Sequence, residues 1–529
     1  MTPAHGYLTF VLHCHLPFVR HPEHDQFLEE KWLFEAVTET YLPVLEVFQD
    51  LVDDGVPLQM TVSVSPPLMA MLSDDMLQER CADYVSDRVE LMEKELERIA
   101  GSPFEPAAEL YHRRFTQLND RYGERPCEAF IEGLRGLQNA GHLEVITSAA
   151  THAVLPLLST PEATRAQIEH GCRVYEHHFG RRPKGFWLPE CAWCEDLDEK
   201  LAAAGLEFFF LESHGVLLAD PRPVHGVFAP VVTPAGLTGF GRDVESSKQV
   251  WSADEGYPGD FDYREFHRDL GYDAPYDHIA PYLDPWGDRH QLGVKYHRIT
   301  GDVSMEEKEP YDPEAARKKA EDHAEHFLTQ RLEQIDEVEA SIGRPPVIVA
   351  PYDAELFGHW WFEGPHFLES LYRLMASESR INPATAVGYL ADNPVQQRAM
   401  PSTSTWGFEG YFDVWVNGSN DWMYRHLHRA EAAMVELAET FPDAEGLRRR
   451  ALNQCGRELM LAESSDWAFL ISTEGAPEYA RERFESHMER FWRLHDQIRG
   501  GSIDETTLSE IQHRDNLFEQ LDYRLYAAS

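Results

Sequence analysis

The chain has 529 residues, 43% of them hydrophobic, enough to bury a large core and to divide into two or three domains. Its 91 acids against 47 bases give a formal net charge of −44, which repels nucleic acid and anionic membranes and argues against both as partners. No apolar run approaches the roughly 20 residues needed to span a bilayer, and seven scattered cysteines do not make a disulfide framework.

The N-terminal stretch MTPAHGYLTFVLHCH has no basic n-region, full-length apolar region or small-residue cleavage site, so a cytoplasmic protein is expected. YLTFVL (Tyr7 to Leu12) reads as a buried strand running into His13. A helical pattern over Leu33 to Asp53 leads to a second strand, LQMTVSV, ending at Ser65. Asp83 to Ala140 is helical, charged and too long for one crossover, which predicts a helical insertion at about 83–140. LEVITS (Leu143 to Ser148) precedes His152, a helix is expected over Pro161 to Phe179, and KGFWLP (Lys184 to Pro189) ends at Glu190. A helix over Glu195 to Ala204 then leads into LEFFFL, which ends at Glu212 and His214. The helical stretch Pro313 to Ile342 precedes VIVAPY, which delivers Asp353 into the aromatic run PYDAELFGHWW.

Near-continuous apolar strands are buried on both faces, as in a parallel sheet. Strands alternating with helices, with reactive side chains at their C-terminal ends, predict an α/β barrel of the TIM type or a relative. From about Asp421 onward the strand signals vanish. Trp422 to Thr440, Glu445 to Ala462 and Pro477 to Arg499 carry apolar residues at three- and four-residue spacing, which predicts a small C-terminal helical bundle. The acids are spread along the chain and not gathered in a tail, the pattern of a solvated, salt-adapted surface.

Three constellations carry chemistry. In HCHLPF the alternating His13 and His15 point the same way and could ligate a metal, hydrogen-bond sugar hydroxyls, or lie in the core. In WLPECAW, Glu190 lies between two tryptophans and could be a reactive acid or the partner of Arg181 or Arg182. Cys191 and Cys194 form a CxxC without a second CxxC, so two reduced thiols are the simplest reading. Asp353 is walled by tyrosine, histidine and paired tryptophans. Two carboxylates are what cleavage of a glycosidic bond requires.

HCHLPF, ATHAVLP (Ala150 to Pro156), WLPECAW, PYDAELFGHWW and STWGFEGY (Ser404 to Tyr411) resemble, in order, the five motif regions of glycoside hydrolase family 57. SSDWAFLI (Ser464 to Ile471) and the connection Phe240 to Phe266 resemble the family's α-1,4-glucan branching subgroup. The resemblance implies a distorted (β/α)7 barrel over residues 1–410, with the helical insertion, and a C-terminal all-α domain over 411–529. It implies Glu190 as nucleophile and Asp353 as general acid/base, with His13, His15 and His152 lining the subsite of the attacked sugar. Arg264, Trp406, Asp466 and Gly287 match positions that hold the glucan chain. Trp415, with Trp32, Trp251, Trp286 and Trp406, is a candidate stacking platform. The implied enzyme uses no metal or other cofactor, acts on α-1,4-glucan and is a monomer or small homo-oligomer.

The expected reaction is a retaining double displacement that moves a glucan segment onto a 6-hydroxyl. In that subgroup a tyrosine covers the site from the connection between the third and fourth motif regions. Here no tyrosine occurs from Phe208 to Gly256, including the stretch at about 213–240. An α-amylase or 4-α-glucanotransferase on the same scaffold is therefore the alternative. A metal-dependent hydrolase using His13 and His15 lacks a convincing later ligand set. A catalytically silent glucan-binding protein does not fit two intact acids.

Overall fold

The computed structural model describes residues 5–252, 255–284 and 286–528. The extreme N-terminus (residues 1–4) and two positions of the 240–266 connection (253 and 254) lie outside them. Ten strands form one sheet: β1 (Gly6–Cys14), β2 (Met60–Val64), β3 (Leu143–Ser148), β4 (Gly185–Trp187), β5 (Phe208–Leu211), β6 (Val231–Val232), β7 (Thr238–Gly241), β8 (Val347–Asp353), β9 (Ile381–Pro383) and β10 (Gln397–Arg398). Seven of them run parallel in the order β7-β5-β4-β3-β2-β1-β8. β9 pairs with the first half of β1, and β6 pairs antiparallel with β7. Every residue of β1, β2 and β5 is buried, as expected for strands covered on both faces.

The sheet curls without closing. Among the described residues no ladder joins β7 to β8; backbone bonds from Asp243 to Val349 (2.8 Å) and from Val347 to Phe228 (2.9 Å) cross the gap. β7 was not legible in the sequence. It is four residues long and contains Gly239 and Gly241, which read as loop rather than strand. Packing explains them: a Cβ on Gly241 would come within 2.8 Å of Val216, and one on Gly239 within 3.1 Å of Phe209.

Three helices, Asp75–Ile99, Glu105–Tyr122 and Pro126–Ala140, fill the connection between β2 and β3. Asp74 caps the first by accepting the Leu77 N–H at 3.1 Å. Beyond the sheet lie the helices Tyr424–Thr440, Gly446–Ala462, Ser465–Ser472, Pro477–Gly500 and Glu505–Arg514. They are fastened to the barrel side: Glu431 accepts the Ser159 and Thr160 N–H groups, and Gln167 donates to Glu463 at 2.7 Å. An isolated bridge between Ala153 and Ser464 brings the start of Ser465–Ser472 against the end of β3. Among the described residues no helix is long and apolar enough to cross a membrane.

Candidate active site

The parallel register collects the reactive side chains at one rim. His13 pairs with Ser63 on one side and with Asp353 on the other. His152 follows β3 by four residues, and Glu190 follows β4 by three. His152 (φ 57°) and Glu190 (φ 61°) both adopt left-handed backbone conformations that non-glycine residues rarely take. Such strain persists where surrounding structure holds it, and it clusters at working sites.

The histidines split into two arrangements. His13 Nδ1 lies 3.1 Å from Ser63 Oγ, and its Nε2 faces His152 Nε2 at 3.0 Å. His152 Nδ1 lies 2.9 Å from Ser465 Oγ and 3.7 Å from Glu190 Oε1. His15 instead spans Ser65 Oγ (2.8 Å) and Asp466 Oδ1 (3.1 Å). Burial, then the neighbouring imidazoles, push His13 and His152 well below the ordinary histidine range, so both are neutral. Burial works against His15 too, but Asp466, then Glu190 and Glu355, hold it above that range.

The two acids differ in their neighbours. Glu190 Oε2 accepts the Trp406 indole N–H at 2.8 Å, and the Trp406 backbone N–H donates to the Glu190 carbonyl at 3.0 Å. Burial raises the Glu190 carboxyl; hydrogen bonds from Trp406 and Ser465 pull it back without cancelling the rise. The leading groups that favour its anion are an indole and a hydroxyl, with the charge of His15 after them. Asp353 has no hydrogen-bond donor among the described residues. Burial, then the charges of Glu355 and Glu190, push it well above the usual carboxylate range against Arg242. Arg242 is held by Glu212 (3.0 Å) and Ser247 (2.7 Å).

Glu355, two residues after Asp353, accepts the His15 backbone N–H at 3.2 Å and the Tyr41 hydroxyl. Tyr41 closes the π-helical turn Ala36–Tyr41, a geometry that often marks functional sites. The same turn presents Glu39, which binds His359 Nδ1 at 2.7 Å and Arg264 Nη1 at 2.8 Å. Gly358 lets the Asp353 loop lie on this turn: a Cβ there would sit 1.9 Å from the Glu39 carbonyl oxygen.

Two of the expected glucan contacts are buried. The Arg264 side chain is 0% exposed, held by Glu39, Tyr111 (3.1 Å) and the His359 carbonyl (2.7 Å), so it braces the Asp353 loop and offers nothing to a sugar. Trp415 is 1% exposed and packs against Gly407, so it is core and not a platform. Gly287, at φ 76°, accepts the Tyr276 hydroxyl at 3.0 Å. Trp406, by contrast, sits at Glu190, with Trp251 (37% exposed) edge-on to it at 6.1 Å. Asp466 reaches the site through His15, and Trp286 is 65% exposed beside His24.

Sequence reasoning missed Ser63, Ser65, Tyr41, Arg242, Glu355 and Ser465. The serines had a signal: Ser63 and Ser65 alternate at the end of β2 as His13 and His15 do at the end of β1; parallel register pairs His13 with Ser63, and His15 Nδ1 meets Ser65 Oγ one residue beyond both strands. The cysteines are all free, Cys191 buried and Cys194 partly so. Among the described residues, the group best placed to hold a metal is Glu458, His487 and Asp515, in the C-terminal helical region.

A family model described as glycosyl hydrolase family 57 matches residues 9–401, and one described as the 1,4-alpha-glucan branching enzyme C-terminal region matches 426–526. A 1,4-alpha-glucan branching enzyme of Thermococcus kodakarensis is 37% identical over 97% of this chain and 77% of its own. The crystal structure of an α-amylase from Thermotoga maritima superimposes with a TM-score of 0.92 at 41% identity, covering 99% of both chains. That of a branching enzyme from Pyrococcus horikoshii gives 0.88 at 34% identity, covering 99% of this chain and 97% of the other.

Proposed function

The chain belongs to glycosyl hydrolase family 57, and on that premise we propose that it is a 1,4-α-glucan branching enzyme. In this reading Glu190 attacks the anomeric carbon of an α-1,4-linked glucose while Asp353 protonates the departing glycosidic oxygen. The glucosyl ester on Glu190 then passes to the 6-hydroxyl of another glucan, deprotonated by Asp353, with overall retention. His13, His15 and His152 line the subsite of the attacked sugar, and Trp406 orients the nucleophile. The catalytic part spans residues 1–410 and the helical part 411–529. The setting is cytoplasmic, the acidic coat serves solubility at high salt, and the molecule works as a monomer or small homo-oligomer.

The observation that carries the reading is the Asp466–His15 contact. Asp466 lies in the segment matched by the branching-enzyme C-terminal model, and its carboxylate lies 3.1 Å from a histidine of the barrel rim. A second reading, α-amylase activity on the same two acids, is favoured by the 41% identity to the Thermotoga maritima amylase and by the tyrosine-free connection at 213–240. Incubation with amylose separates them. Branching predicts new α-1,6 linkages, released as short chains by a debranching enzyme, in excess of new reducing ends. Reducing ends without branches would establish the hydrolase.

A further inference from the structure

A line of polar atoms crosses the rim from β2 to Glu190: Ser63 Oγ, the His13 ring (3.1 Å), the His152 ring (3.0 Å from His13) and Ser465 Oγ (2.9 Å). Ser465 is anchored on the spot, since its backbone N–H donates to the His152 carbonyl at 3.1 Å. The two imidazoles meet Nε2 to Nε2, so a hydrogen bond between them needs one proton there and not two. With both rings neutral, that single choice fixes every other proton in the line.

Only two arrangements exist. In one, His13 carries its proton on Nε2 and donates it to His152. His13 Nδ1 then accepts from Ser63, His152 carries its proton on Nδ1 and donates to Ser465, and the Ser465 proton is left for Glu190. In the reverse arrangement Ser465 spends its proton on His152 Nδ1, and the line runs out at Ser63. An ionised Glu190, whose Oε1 lies 3.7 Å from His152 Nδ1, selects the first, because a proton on that nitrogen faces the carboxylate.

We infer that Ser465, contributed by the C-terminal helical region, is a positioning residue that fixes His152 as the Nδ1–H tautomer and His13 as the Nε2–H tautomer, so that a one-way chain of donors ends on Glu190. No proton is transferred along the line; the direction of donation stabilises the carboxylate that attacks. The inference rests on the assignment of Glu190 as nucleophile. The charged groups around the line are the His15–Asp466 pair, with His15 stacked on His152 at 3.8 Å, and the Glu355 and Arg242 side chains beyond. They explain why the neighbouring histidine follows a different rule: His15 ends on a carboxylate and His13 on a neutral ring.

The test uses the full chain with histidine ring nitrogens labelled, His13 and His152 being assigned by comparison with their Gln variants. Wild type is expected to show His152 protonated on Nδ1 and His13 on Nε2; the reverse pair overturns the inference. In parallel, Ser465→Ala, Ser465→Thr and Ser63→Ala are assayed on an aryl maltooligoside with a good leaving group. Ser465→Ala is expected to lower the turnover rate roughly 10- to 100-fold with KM little changed. It should also move the acid limb of kcat/KM upward by about one pH unit, with Ser465→Thr restoring both. Ser63→Ala, at the far end, moves the limb the same way by less. An unmoved acid limb in Ser465→Ala, with matched thermal melting, overturns the inference. Glu190→Gln is run alongside: if it keeps activity the nucleophile assignment fails, whereas a dead Glu190→Gln beside an unaltered Ser465→Ala fails the donor chain alone.

Discussion

Glu190 and Asp353 stand at the same rim of one sheet, yet they are held by different halves of the molecule. Glu190 is surrounded by donors from distant segments, Trp406 from the loop after the barrel and Ser465 from the C-terminal helices. Asp353 has no donor among the described residues and faces a second carboxylate, Glu355, which a π-helical turn locks in place. Both carboxyls are raised by burial, so burial does not separate their roles. What separates them is the neighbours: hydrogen bonds that favour the anion at one, negative charge that favours the proton at the other. In the proposed mechanism such a pair supplies one acid to attack and one to protonate.

The comparison breaks most visibly when either acid is neutralised. Glu190→Gln should cost on the order of 10⁴-fold in kcat on amylose and on activated substrates alike. Asp353→Asn should be as severe on amylose but should still form the covalent intermediate from an aryl glycoside with a good leaving group, seen as a burst of released phenol. Equal losses for both variants on both substrates would erase the distinction. A second break acts on the frame of the Asp353 half. Arg264→Ala leaves Glu39 buried and short of its cation, and a cost of about 3–5 kcal/mol is expected in denaturant unfolding. Its KM for glucan should stay near wild type where the protein is folded, because the guanidinium does not face solvent. The smallest effect sharpens the charge argument. Glu355→Gln removes the leading negative neighbour of Asp353 and should lower the basic limb of the pH–rate profile by roughly one unit.

The Asp353 and Glu190 halves were unequally legible in the sequence. Six of the seven parallel strands are continuous apolar runs, so strand ends, and hence His13, Glu190 and Asp353, could be placed from periodicity alone. The strand β7 escaped because glycines chosen for close packing look like turn residues. Arg264 and Trp415 misled for one reason: their residue types suit sugar contact, while tertiary packing buries them. Motif identity reports the residue type but not which face of it is open. Glu355 stood in plain sight beside Asp353; its role depends on Tyr41, more than 300 residues upstream, and on a π-turn that no periodicity reveals. Ser465 was hidden because the side chains it serves come from another part of the chain.

The division of labour between the two carboxylates is tested most directly by trapping the first half-reaction. A maltooligosyl fluoride slowed by fluorine on the reacting sugar should leave a covalent adduct, and peptide mapping by mass spectrometry should locate it. The account predicts a single label on the peptide containing Trp187 to Trp193, carried by Glu190. A label on Asp353, or turnover with no covalent label under conditions that trap the intermediate, would contradict it.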